Sequence, residues 1–219
     1  MRYYLFLPAI ALASCSAPVP EDTRDLFTRL TALCGQSFQG RVVSEDERDA
    51  DWAAQVLTIE IRSCTDDEIR IPLHVGENRS RTWVIRDTKR SRPCTEDEAR
   101  LVQETLGGDL ARNAHCNDRV MELKHDHRHE DGSEDVLTQY GGMTESWPLG
   151  GVAHFPADAF SRELFERENI PASMENVWTM RVEGDVLSYA LDRPGRHFEA
   201  VFDLSQPVDT PPAPWGTEE

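Results

Sequence analysis

From Phe38 to Leu204, apolar residues return at every second position in one short run after another. Leu57, Ile59 and Ile61 alternate with Thr58, Glu60 and Arg62, and Ile69, Ile71 and Leu73 alternate with Arg70, Pro72 and His74. Trp83 and Ile85 share a face, and further runs cover Val120–His129, Val136–Tyr140, Val177–Val182, Val186–Leu191 and His197–Leu204. A period of two lines one face of a strand, so these are half-buried strands. Turn residues separate them: Asp66-Asp67, Gly76-Glu77-Asn78, Asp131-Gly132, Glu183-Gly184-Asp185 and Arg193-Pro194-Gly195. The spacing predicts roughly eight or nine strands in hairpin order, with the hairpin across Asp131-Gly132 the clearest. A mainly β meander of this kind removes its exposed edges most simply by curling up. The expected fold is therefore an antiparallel up-and-down, lipocalin-like barrel, closed or partly open, and a β-sandwich is the alternative.

Helical periodicity interrupts this pattern in three places. Residues 21–34 place Leu26, Phe27, Leu30 and Leu33 on one face and end at Gly35, which predicts an N-terminal helix. Residues 157–168 predict a second helix that buries Phe160, Leu164 and Phe165. Between them, Thr95 and Glu98 form a capping-box signature ahead of Ala99, Leu101, Val102 and Leu106. Because Cys94 and Cys116 flank that helix, 89–116 reads as a disulfide-stapled helical insertion in a single domain spanning 21–205. The segment 206–219 carries four prolines and no periodicity, and reads as a disordered tail.

The chain begins with Arg2, an apolar run from Tyr3 to Ala13, and then Ser14-Cys15. A run near ten residues is too short for a span, which needs about 20. It has the layout of a secretory signal peptide over residues 1–14, and the cysteine after the small residues resembles the lipobox of bacterial lipoproteins. That resemblance implies acylation of Cys15, palmitate among the chains, and a tether over 15–20. It also implies a lipid-anchored protein in the envelope of a Gram-negative bacterium, on the outer membrane facing the periplasm. Several acyl chains at about 0.8 kcal/mol per buried methylene make a durable anchor.

Of the five cysteines, four remain once Cys15 is set aside. In an oxidising compartment they read as disulfides. Three pairings are open, and Cys34–Cys64 with Cys94–Cys116 is the favoured one. No CxxC or cysteine–histidine zinc spacing is present. Removal of 1–14 takes away one charge, Arg2, leaving 22 basic against 40 acidic residues, a net of −18. Such a surface repels nucleic acid phosphates, so no nucleic-acid partner is expected.

The run Lys124-His125-Asp126-His127-Arg128-His129-Glu130-Asp131-Gly132 puts three imidazoles on one strand face. Imidazoles suit a divalent transition metal such as zinc. Alternate residues sit roughly 6.6 Å apart on a strand and the outer two about 13 Å apart, so a single ion takes two of them and a neighbouring ligand. If the hairpin loop has two residues, Glu134 lies opposite His129. The candidate metal set is therefore His125, His127, His129 and Glu134, and the competing reading is a solvated or ligand-facing strand. The order does not match the HxHxDH motif of metallo-β-lactamase-like hydrolases or an EF-hand loop. No GxSxG element is present, and paired carboxylates among forty acids carry no information.

An organic ligand is the other possibility. Trp83, Tyr140, Trp178 and Tyr189 all fall on strands that a barrel would turn inward, with Arg81 or His127 as a polar anchor. The candidate pocket is Arg81, Trp83, Tyr140 and Trp178, for a small apolar or amphipathic molecule. The plainer reading is that these aromatics simply pack the core. A binding or envelope-accessory module, with a small molecule or an envelope protein as partner, is favoured over an enzyme; a hydrolase is the most distant alternative.

Several stretches together resemble an uncharacterised family of proteobacterial secreted proteins and lipoproteins. They are Leu33-Cys34-Gly35-Gln36-Ser37-Phe38, Arg79-Ser80-Arg81-Thr82-Trp83, Leu123 through Asp135, Tyr140-Gly141-Gly142 and Asn176-Val177-Trp178. The segment 89–116 departs from that pattern. The family carries no assigned activity, so the resemblance implies no substrate.

Overall fold

The structure, a computed structural model, describes residues 24–106 and 115–217. The signal peptide, Cys15 and the tether lie outside the described residues. The strands are β1 (Ser37–Val42), β2 (Leu57–Glu60), β3 (Ser63–Cys64), β4 (Glu68–Val75), β5 (Asn78–Pro93) and β6 (His115–His127). They continue with β7 (Tyr140–Met143), β8 (Val152–Pro156), β9 (Val177–Glu183), β10 (Val186–Arg193) and β11 (Arg196–Val208). The helices are α1 (Leu26–Thr31), α2 (Ala50–Ala53), α3 (Glu96–Leu106) and α4 (Ala159–Arg167).

One antiparallel sheet runs in the order β7-β6-β5-β4-β2-β1-β11-β10-β9-β8, with β3 paired to β4 off this path. Read as a ring, that order is sequential, which is the up-and-down meander expected of alternating strands joined by short turns. β1 pairs with β11 to join the chain's two halves, with Gly40 opposite Phe202. The last gap, between β7 and β8, is bridged at Gly142 and Ala157 and by the Asp158 amide on the Gly141 carbonyl at 3.0 Å. A Cβ on Gly142 would lie 1.9 Å from the Pro156 carbonyl oxygen, and one on Gly141 1.8 Å from that of Leu123, so the pair lets three backbones converge. The buried Ser161 hydroxyl accepts from the Gly141 amide and donates to its carbonyl. The result is a nearly closed barrel rather than two packed sheets.

The short helix α1, capped by the Asp25 carboxylate, buries Leu26, Phe27 and Leu30. Gly35 follows it at φ 82°. The Cys34–Cys64 disulfide then joins this segment to β3, and Cys94–Cys116 forms the second.

Several expectations are corrected. The described residues form eleven strands, and β5 and β6 run as a long hairpin paired from Arg81↔His127 out to Pro93↔His115. The helical excursion therefore begins at Cys94 instead of residue 89. Its capping box forms, with Thr95 donating its amide to Glu98 at 2.8 Å. In α4 it is Ser161, not Phe160, that turns inward; Phe160 is half-exposed and lies 5.5 Å from the Lys124 ammonium. The Asp131-Gly132 loop is one residue longer than expected: the His129 amide bonds the Ser133 carbonyl, and Gly132 takes the left-handed conformation at φ 84°. Pairing of the return strand resumes only at Tyr140, opposite His125, so Val136 is exposed.

The tail is ordered over the described residues. β11 continues to Val208, and the Trp215 amide bonds the Arg79 carbonyl at 3.1 Å while Arg79 donates to Ala213 at 2.9 Å. Proline-rich chain needs no ladder partner of its own, and here it straps the outer face of β5.

Candidate functional site

Successive inward positions on neighbouring strands climb the barrel in layers. On β5 they read Ile85, Trp83, Arg81, opposite Leu123, His125 and His127 of β6. On β10 they read Leu187, Tyr189, Leu191, Arg193, opposite Phe202, Ala200, Phe198 and Arg196 of β11. β5 thus passes from aliphatic through aromatic to cationic and β6 from aliphatic to neutral imidazole, while β10 and β11 both end in an arginine, and strand alternation delivers these levels to the interior. α1 packs beside the ends of β4 and β9 at the aliphatic end, where Arg29 donates to the Val182 carbonyl. The opposite end opens as a cavity of about 410 Å³. The turn carrying α2, the loop that holds Leu137, and the turn at Pro171–Glu175 surround it.

Aromatic rings make the cavity walls. Trp83 stacks on Tyr189 with ring centroids 4.3 Å apart, and His125 stacks on Tyr140 at 4.5 Å and tilts against Trp178 at 5.0 Å. A hydrogen-bonded chain runs through these rings. His125 Nδ1 donates to the Tyr140 carbonyl at 3.1 Å, and its Nε2 accepts from the Tyr189 hydroxyl at 2.7 Å. The Tyr140 hydroxyl lies 3.3 Å from His127 Nε2.

Burial, with His127 and Lys124 alongside, depresses His125 to about 3, against a smaller opposing pull from the Tyr140 carbonyl. Burial and the Arg81 charge depress His127 to about 4. Both imidazoles are neutral at pH 7, which fixes the tautomer of His125 as written. Burial pushes Tyr140 up to about 12 and Tyr189 well above its ordinary value. These phenols are hydrogen-bond donors, not phenolates.

The four candidate pocket residues, Arg81, Trp83, Tyr140 and Trp178, line this one cavity together with His125 and His127. Trp52, Phe198, Arg193, Arg196 and Asp49 also line it and were not singled out from sequence. Arg193 was legible: it continues the inward alternation Leu187, Tyr189, Leu191, but the following Pro-Gly marks it as a turn residue.

The metal set is not assembled. Both nitrogens of His125 are engaged, and His129 lies on the exposed loop. Glu134 sits opposite Arg128, not His129, and pairs with it at 3.0 Å, because the longer loop shifts the register. Among the described residues, Cys94, Glu98 and Cys116 do come within ligating distance of one another. Their sulfurs are joined as a disulfide, and Glu98 is held by Arg92 at 2.8 Å, so the group offers no thiolate.

At the rim, Arg48 pairs with Asp46 and Arg196 with Asp49. Arg81 and Arg193 have no carboxylate partner among the described residues. Arg81 lies 4.9 Å from the centre of the Trp52 ring, and burial lowers its pKa. No family model matches the chain, and no curated protein or solved structure matches it.

Proposed function

We propose that this chain is an envelope lipoprotein, anchored through Cys15, whose barrel binds a small amphipathic molecule in its open end. The observation that carries the reading is the cavity itself. It is of the size that takes a small organic ligand, with aromatic and aliphatic walls interspersed with convergent polar and charged groups. The barrel places His127, Arg81 and Arg193 at inward positions.

Native mass spectrometry of the chain from Ser16, purified from a periplasm, tests this. An organic adduct, or saturable one-to-one binding of N-phenyl-1-naphthylamine, is expected. Absence of both would sink the ligand reading. The anchor has a separate test: Cys15→Ser should abolish palmitate labelling and release the protein from the membrane fraction, and persistent labelling would exclude Cys15 as the acylated residue.

A further inference from the structure

Arg81 and Arg193 are held in the same way. Arg81 uses Nη1 alone, donating to Asn78 Oδ1 at 3.0 Å and Ser80 Oγ at 3.2 Å. Arg193 also uses Nη1 alone, donating to Ser173 Oγ at 2.7 Å and Asn176 Oδ1 at 3.3 Å. Every one of these acceptors is neutral, so each guanidinium is oriented without a direct ion pair, and Asp135 acts on Arg81 only through its field. On both, Nε and Nη2 have no hydrogen-bond partner among the described residues, and neither atom is sealed from solvent. Those two adjacent N–H groups are the edge that binds a carboxylate in bidentate fashion.

Both residues line the same cavity. We infer that the open end of the barrel is a receptor for a compact organic anion, its acid group gripped by Arg81 and Arg193 and its ring body stacked among the aromatic side chains below. This rests on the proposed ligand-binding role and names the chemical class of the ligand.

An aromatic cavity can also serve as a cation cage, but the rim argues against that here. Four arginines line it, and Arg48 and Arg196 are neutralised by Asp46 and Asp49 while the other two are not. A cation would have to approach the two unpaired charges, and one of them already occupies the Trp52 face. The neutral imidazole of His127 adds no carboxylate-like partner.

The buried core cluster runs from Leu26 to Phe202, all within the chain from Ser16, which serves for the test. Two probes with the same aromatic skeleton separate charge from cavity: the anion 8-anilinonaphthalene-1-sulfonate and the neutral N-phenyl-1-naphthylamine. The anion should bind about tenfold more tightly or better, as expected of charge-assisted hydrogen bonds. Arg81→Gln and Arg193→Gln should each remove most of that preference, read as the ratio of the two probes' affinities, while Arg81→Lys should keep part of it. Unchanged near-ultraviolet circular dichroism certifies that each variant is folded.

Equal binding of both probes, or a preference that survives both Gln variants, would overturn the anion inference and leave the cavity role intact. Failure of both probes to bind would overturn the two together. Dissolved 2-naphthoate should give a saturable calorimetric isotherm. Flotation of the protein with phosphatidylglycerol vesicles, without binding of naphthoate, would instead assign the site to a lipid headgroup and overturn the free-acid class.

Discussion

The two ends of the barrel are built on the same strands and do opposite things. At the α1 end, Ile69, Ile85, Leu123 and Leu187 are wholly buried and make no polar contact that a ligand could replace. At the open end β4 stays aliphatic through Ile71 to Leu73, but β5, β6 and β10 continue inward as Trp83 then Arg81, His125 then His127, and Tyr189, Leu191 then Arg193. Fold stability and binding specificity are therefore segregated along the barrel axis. Substitutions at one end should move one property and spare the other.

The largest separation is expected from Ile85→Ala against Arg81→Gln. Ile85 is wholly buried between Ile69 and Leu123, and its truncation should cost about 2–5 kcal/mol through lost burial and the cavity left behind. Arg81→Gln removes a charge at the rim with no ion pair to break, and should change stability by about 0.5 kcal/mol or less. Urea midpoints measure the first, and anionic-probe affinity should fall only in the second. If Ile85→Ala weakened probe binding in the folded protein as much as Arg81→Gln does, the two ends would not be independent.

Acid should attack the open end first. The folded-state pKa values of His125 and His127, about 3 and about 4, lie below the unfolded value near 6.5. The unfolded chain therefore binds more protons between those limits, and stability falls as the pH drops from about 6.5 toward 4. His74, likewise buried and depressed by burial, adds in the same direction. The carboxylates held low, among them Asp158 and Glu98, lose their stabilising partners only at lower pH. The expected loss by pH 4 is on the order of a few kcal/mol. His127→Gln should flatten the curve of urea midpoint against pH, whereas Ile85→Ala should lower it without changing its slope. A slope unaltered by His127→Gln would show that this imidazole titrates normally.

A smaller effect should come from the join between the ends. Tyr189→Phe removes one oxygen and leaves His125 Nε2 buried without a donor, a cost of about 1–3 kcal/mol. Nitrogen-15 shifts of His125 should then report a changed tautomer balance. Stability and shifts both unchanged would mean that a water had replaced the hydroxyl.

The layered wall was legible in the sequence because it depends on strand alternation alone. Trp83 and Trp178 could be assigned to the interior from their parity, and the barrel from the succession of short turns. The features that were not legible depend on register or on contacts distant in sequence. One additional loop residue at Gly132 moved Glu134 from His129 to Arg128 and dissolved the metal set. Ser161 shares the face of Leu164 and Phe165 by helix spacing, but its partner Gly141 is a contact that no local pattern encodes. Trp52 reaches the cavity from outside the sheet, where no strand parity applies, and the tail is ordered by Arg79 rather than by any pattern of its own.

The least effect is expected where the chain leaves the barrel altogether. α3 projects from the far end of the β5–β6 hairpin, beyond Pro93 and His115, and the register from Arg81↔His127 to Pro93↔His115 separates it from the cavity by the whole length of that hairpin. Leu101 on α3 is 63% exposed. Arg92 bridges Glu98 and Asp118 at the helix's base, next to the Cys94–Cys116 bond, so the excursion is fastened locally instead of through the core. Leu101→Ala should therefore change the urea midpoint by no more than about 0.5 kcal/mol in stability and leave both naphthalene probes unaffected. Since the whole hairpin lies between α3 and the cavity, any loss of probe affinity in this variant would mean that the cavity is sensed along β5 and β6, and the division of labour between the two ends would have to be redrawn to include the hairpin between them.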